Sequence, residues 1–152
     1  MERLQEVAVR AARCVFQQVD ATRQGSAEIS LVFTNDTHIC SLNEEYRGKP
    51  SATNVLSFPA LPPDSEACNH QLLLGDVVLS FETITNEAQD QGKNFENHLC
   101  HLIIHGVLHL LGYDHEIDAD AEKMERIEIS ALAQLGVANP YETDSCVDLP
   151  ER

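Results

Sequence analysis

Between Leu99 and Leu111 the chain is an apolar run broken only by histidines, at positions 101, 105 and 109. Residues four apart lie one turn apart on the same face of a helix, so the run predicts a helix with an imidazole stripe. Gly112 ends it, because glycine enters the left-handed conformation without steric cost. A turn there carries His115 back towards His105 and His109. Three neutral nitrogen ligands and one open position describe a catalytic zinc site, since structural sites are normally closed by four protein ligands.

The full pattern, HxxxHxxGxxH, has the spacing of the metzincin peptidase helix with one change. Gly106 stands where a zinc peptidase carries the glutamate that serves as general base. The motif therefore predicts a hydrolytic metal site without the peptidase base. A rival row of His101, His105 and His109 fails on length: eight residues of helix span about 12 Å, against zinc–nitrogen bonds of about 2.0–2.1 Å. His101 is expected to line the cleft or support a ligand, and His98 to lie on the surface.

A chain of 152 residues is long enough for one domain with a proper core. No apolar run approaches the ~20 residues of a membrane span, and the start, Met1-Glu-Arg-Leu-Gln-Glu, has no signal-peptide core. Five scattered cysteines without a CxxC pair point to reduced thiols in the cytoplasm. The formal net charge of −15 repels phosphate at long range. A nucleic-acid role has to rest on a local cationic cleft and on the metal's own charge; the acidity itself suits a basic partner such as a ribosomal protein, or solubility.

Periodicity places a helix over about 3–19, with Leu4, Val7, Ala8, Ala11, Val15 and Val19 on its stripe and Arg10 and Arg13 off it. Residues 27–34 alternate as a strand, with Ile29, Leu31 and Phe33 on one face. Asn35 or Asp36 caps a helix to about Tyr46 with Ile39 and Leu42 inward. A short strand closed by Pro59 follows, then a proline-rich acidic loop to Asn69. Leu72–Ser80 reads as a strand interrupted at Gly75-Asp76, a sign of a bulge or a close backbone approach. Helices are expected at about 81–91, 95–111 and 118–135, the last with Met124, Ile127, Leu132 and Leu135 inward and a stop at Gly136. Residues 1–136 form the single expected domain, and 137–152 a poorly ordered acidic tail. There is no internal repeat.

Four stretches, taken in order, resemble the YbeY family of ribosomal-RNA maturation factors: Leu42-Asn-Glu-Glu-Tyr46-Arg47, Thr53-Asn54-Val-Leu-Ser57-Phe58-Pro59, Leu74-Gly75-Asp76-Val-Val-Leu-Ser80 and the histidine motif. The last helix and Asn139-Pro140-Tyr141 fit as well. The resemblance implies an α+β fold, a small mixed sheet flanked by helices with the metal in a cleft. It also implies a metal-dependent, single-strand-specific endoribonuclease, acting on ribosomal RNA (especially the 3′ end of the small-subunit RNA) and in ribosome quality control. Single-stranded RNA, the small ribosomal subunit and ribosome-assembly proteins would be its partners, with no membrane. Two departures stand out. The family commonly has aspartate where Asn54 stands, so Asn54 is not a general base. Family chains also usually begin with a strand ahead of the first helix, so either the sheet is one strand smaller here or the start is truncated.

One Zn²⁺ per chain, or another divalent ion that imidazole suits, would lower the pKa of its water, and the resulting hydroxide is the candidate nucleophile. His105, His109 and His115 are the expected ligands. Arg47 is the candidate phosphate clamp, because guanidinium matches paired phosphate oxygens; its bland alternative is capping the preceding helix. Lys49 could add positive charge. Asp114 could orient an imidazole or form the turn, and Asp76 is the other nearby acid. Ser57 is expected to bond backbone. Two other functions stay open: a ribosome-assembly binding factor with a structural metal, and a metallopeptidase, which Gly106 counts against.

Overall fold

The structure is a computed structural model that describes residues 2–18, 26–59, 71–113, 118–137 and 139. Within them the order is α1 (Glu2–Gln18), β1 (Ser26–Thr34), α2 (Asp36–Arg47), β2 (Val55–Pro59), β3 (Gln71–Ser80), α3 (Phe81–Gln91), α4 (Phe95–Leu110) and α5 (Asp118–Gln134). The strands form one mixed sheet in the order β1-β3-β2, parallel between β1 and β3 and antiparallel between β3 and β2. The expected α+β class and small flanked sheet are present.

Side-chain alternation splits the core between the two faces of the sheet. Val77 and Leu79 join α1, α4 and α5 in the main core, while Val78 and Leu56 meet Ile39 of α2 on the other face. Polar side chains start the helices where orphan N–H groups need acceptors: Asn35 accepts from His38, Ser80 from Thr83 and Asn94 from Asn97. Asp36 ties two of these starts together, accepting from the Ser80 and Thr83 hydroxyls at 2.5 Å each. Those bonds hold its carboxyl below the usual aspartate range.

β3 is not interrupted at Gly75. The chain instead absorbs an extra residue there: Glu28 pairs Leu73 and Ile29 pairs Gly75, so Leu74 is the bulge. Gly75 has φ 144°, and a Cβ on it would lie 2.3 Å from the Phe58 carbonyl oxygen. Of the two expected alternatives, the close approach falls on Gly75 and the bulge on its neighbour Leu74.

α4 is the helix that the others surround, contacting α1, α3, α5, β2 and β3. Ten of its sixteen residues are buried, which explains why its sequence is apolar on every side. Complete burial of Ile103 and Ile104 contributes about 1.5–3 kcal/mol each. Cys14 and Cys100 are also buried in this core, and Cys40 is half-buried.

Two expectations need correction. His98 is not a surface residue: it is 6% exposed, facing α3, where its Nε2 lies 2.8 Å from Glu87 Oε1. Helix packing on that side of α4 covers it. Val137, assigned to an unpacked tail, packs on the core, and its N–H donates to the Leu132 carbonyl. The remainder of the tail from Pro140 onwards lies outside the described residues, as do Val19 and the loop at 60–70.

Candidate metal centre

The α4 stripe brings His105 and His109 together as the spacing requires. Their Nε2 atoms are 3.0 Å apart and their rings meet edge to face, with centroids 4.5 Å apart. α4 ends at Leu110, and Gly112 takes φ 100°. That turn folds Tyr113 back over the helix end, so its N–H donates to the Leu108 carbonyl and its own carbonyl reaches His109 Nδ1 at 3.1 Å.

The other partners fix the tautomers. A carbonyl oxygen only accepts, so His109 Nδ1 carries the hydrogen and Nε2 the lone pair. His105 Nδ1 donates likewise to Glu128 Oε2 at 2.6 Å. Both Nε2 lone pairs are therefore aimed at a common point, which is repulsive unless a cation lies between them. Two nitrogens held at ~2.0–2.1 Å by one tetrahedral ion sit about 3.3–3.4 Å apart, close to the distance found here. The donor set fits a zinc-type ion.

Glu128 is the residue that sequence reasoning missed. It comes from α5, is fully buried, and places Oε1 3.2 Å from His101 Nε2 while Oε2 serves His105. A carboxylate behind a ligating imidazole fixes the ring's orientation and raises its basicity. The available signal was its period: Met124, Glu128, Ala131 and Leu132 share one buried stripe. His101 thus points at Glu128, with its ring centroid 6.4 Å from that of His105.

Residues 1–136 match the endoribonuclease YbeY family. The chain belongs to this family. Among its relatives, an endoribonuclease YbeY of Rhodopseudomonas palustris is 46% identical over 133 residues, covering 88% of this chain and 70% of the relative. One of Rhizobium etli is 52% identical over 115 residues, covering 76% and 67%. The solution structure of TM1509 from Thermotoga maritima shares the fold, with a TM-score of 0.54, 21% identity and 91% of each chain covered.

The other candidate residues take up distinct places. Among the described residues there is no cluster of three metal-ligating side chains; His115 and Asp114 lie outside them. Gly106 faces the sheet. A Cβ there would lie 2.8 Å from Val77 Cγ1, 3.2 Å from Ser57 Oγ and 3.3 Å from Val55 Cγ2. Packing of α4 on the strands thus leaves no room for a glutamate at this position. Ser57 does bond backbone, but across to α4: its hydroxyl donates to the Gly106 carbonyl at 2.9 Å, which locks β2 beside the two histidines.

Arg47 ends α2 and is exposed. The backbone N–H groups of Gly48 and Lys49 donate to the Glu44 and Asn43 carbonyls near the end of α2. The preceding ring, Tyr46, packs on Phe58 of β2, with ring centroids 5.1 Å apart. Lys49 and Asp76 are exposed. Asn54 serves the frame of the fold. Its amide donates to both oxygens of Glu87 at 3.0 and 3.2 Å, and Glu87 in turn faces His98. Burial pulls the His98 pKa down, with the Glu87 carboxylate offsetting part of the shift.

Proposed function

We propose that this chain is a metal-dependent endoribonuclease that cuts single-stranded RNA during ribosomal-RNA maturation, including the 3′ end of the small-subunit RNA, and ribosome quality control. The facing Nε2 pair of His105 and His109 carries this proposal, together with membership of the YbeY family. His105, His109 and His115 would hold the ion, which we take to be Zn²⁺. When bound, it supplies Lewis acidity and a water of lowered pKa.

The protein's own groups do the rest. Glu128 holds His105 in its ligating tautomer, and the Tyr113 carbonyl does the same for His109. Arg47 clamps the scissile phosphate bidentately, giving local positive charge to a chain of net charge −15. A peptidase would need a carboxylate to pass a proton to a leaving amine. Position 106 cannot house one, and a ribose oxygen is the easier leaving group. Small ribosomal subunits and ribosome-assembly proteins in the cytoplasm are the partners this role requires.

The test offers single-stranded RNA, duplex RNA, single-stranded DNA and peptide to the metal-loaded protein. Slow endonucleolytic cutting of single-stranded RNA alone is expected. Arg47→Glu should abolish it with metal content and thermal stability unchanged. A 2′,3′-cyclic phosphate product would show attack by the neighbouring 2′-OH, and a 5′-phosphate attack by water. Peptide cleavage, or no RNA cleavage while histidine variants still support ribosome maturation in cells, would overturn the proposal.

A further inference from the structure

Among the described residues, four large apolar side chains are exposed, and Tyr46, at 62%, is the most exposed of them. It stands one residue before the end of α2, and its ring meets that of Phe58 with planes at 63°. Phe58 packs in turn on the small core of Ile39, Leu56 and Val78. One neighbour set edge to face covers at most one side of a ring. Tyr46 is therefore braced on the core while a flat aromatic face stays open to solvent.

The residues that follow Tyr46 are cationic and held in place. Arg47 and Lys49 are exposed on either side of Gly48, whose φ of 72° ends the helix. The Lys49 N–H donates to the Asn43 carbonyl at 3.3 Å, and the Ser51 N–H to the Lys49 carbonyl at 2.9 Å. The side-chain amide of Asn43, itself buried, closes the turn by donating to the Ser51 carbonyl at 3.0 Å. Glu44 and Glu45 precede Tyr46, so the positive charge is confined to the helix end. β2 links this surface to the metal centre: Phe58 touches Tyr46, and its neighbour Ser57 donates to the carbonyl of Gly106, the residue after His105.

We infer that Tyr46 is a stacking platform for one unpaired base of the RNA, beside the phosphate that Arg47 clamps. The inference rests on the endoribonuclease reading above and adds to it the group that recognises a base. An aromatic face next to cations is the combination that holds single strands, the cations tracking phosphates and the ring taking a base. It favours a base over a protein side chain because the flat face and the two cations lie on consecutive residues of one fixed turn. A base inside a duplex is already paired and stacked on its neighbours, so it has no face to offer Tyr46. The platform thereby supplies a physical origin for the choice of single strands.

The test measures binding by fluorescence anisotropy, using the metal-loaded full chain and a short labelled single-stranded RNA. The same RNA is then offered with one abasic site, moved along it position by position. Tyr46→Leu keeps an apolar contact with Phe58 but has no aromatic face, and should weaken binding about ten-fold; Tyr46→Trp should bind at least as well as wild type. The salt dependence should be unchanged in Tyr46→Leu, since no phosphate contact is lost, whereas Arg47→Gln should lower its slope by about one. In wild type one abasic position should cost as much as Tyr46→Leu does, and in Tyr46→Leu that position should cost nothing further. Wild-type affinity in Tyr46→Leu overturns the inference, as does a wild type in which no single abasic position matters. An abasic penalty that is the same in both proteins, or a smaller salt slope in Tyr46→Leu, overturns it too. Binding is read apart from cutting: RNA held through Tyr46 but left intact would refute the nuclease reading alone, and undiminished binding and cutting by Tyr46→Leu would refute the platform alone.

Discussion

Glu128 allows the sharpest test of how the centre is held. Its carboxylate takes a hydrogen from His105 at 2.6 Å and from His101 at 3.2 Å while fully buried. Glu128→Gln keeps the shape but removes the charge. The glutamine oxygen can still accept from His105, and its NH₂ forces His101 into the other tautomer. A hydrogen bond to a charged acceptor contributes about 1.5–3 kcal/mol and a neutral one about 0.5–1.5. The difference, about 1–1.5 kcal/mol, is close to ten-fold in affinity, at the low end of the 10–100-fold found for partners of metal ligands. Glu128→Ala goes further, stranding two ring N–H groups and leaving a cavity, for a loss of about 3–5 kcal/mol in stability. Zinc affinity by chelator competition and urea unfolding of the metal-free protein separate the two effects. Unchanged zinc affinity in Glu128→Gln, with the fold intact, would refute a supporting role for this carboxylate.

Other substitutions probe the rest of the centre and its frame. His105→Ala, His109→Ala and His115→Ala should each lose bound metal by elemental analysis, with His101→Ala losing little; full occupancy in the His115 variant would sink the proposed triad. Gly106→Ala should cost about 1–3 kcal/mol by overpacking against Val77 and Ser57, read as a lower urea midpoint; a neutral result would mean that α4 can lift off the sheet. His98, with its pKa lowered by burial, is neutral when folded. Its contribution is complete above its unfolded pKa of about 6.5 and is lost as pH falls through the lower folded value. Asn54→Asp would set a second carboxylate about 3 Å from Glu87, so the network would need a proton. Its stability loss should be larger at pH 8 than at pH 6, and an equal loss at both would count against the charge argument.

What the sequence disclosed followed from local rules. The i, i+4 spacing of His105 and His109 and the Gly112 stop needed only helix geometry, and the Leu74 bulge was signalled by a glycine in a strand. What it hid depended on partners far along the chain. His98 and His101 have similar neighbours in sequence, and only the packing of α3 and α5 decides that one faces Glu87 and the other Glu128. Glu128 reads as one more acid in an acidic helix until the burial of Met124 and Leu132 is seen to include it. Gly106 showed which base was missing, but only the proximity of Val77 explains why none can be there.

The two thiols buried among the described residues, Cys14 and Cys100, give this protein built-in clocks for its own opening. Burial pushes the Cys100 pKa up to about 11 and raises that of Cys14. At pH 7 only about one Cys100 in ten thousand is then thiolate, the form that reacts with alkylating agents. Labelling of Cys100 must wait for α4 to come away from α1, whereas the half-buried Cys40 needs no such event. Pulse alkylation followed by mass mapping would therefore time the departure of the histidine helix from its core, with and without metal, in the unmodified chain.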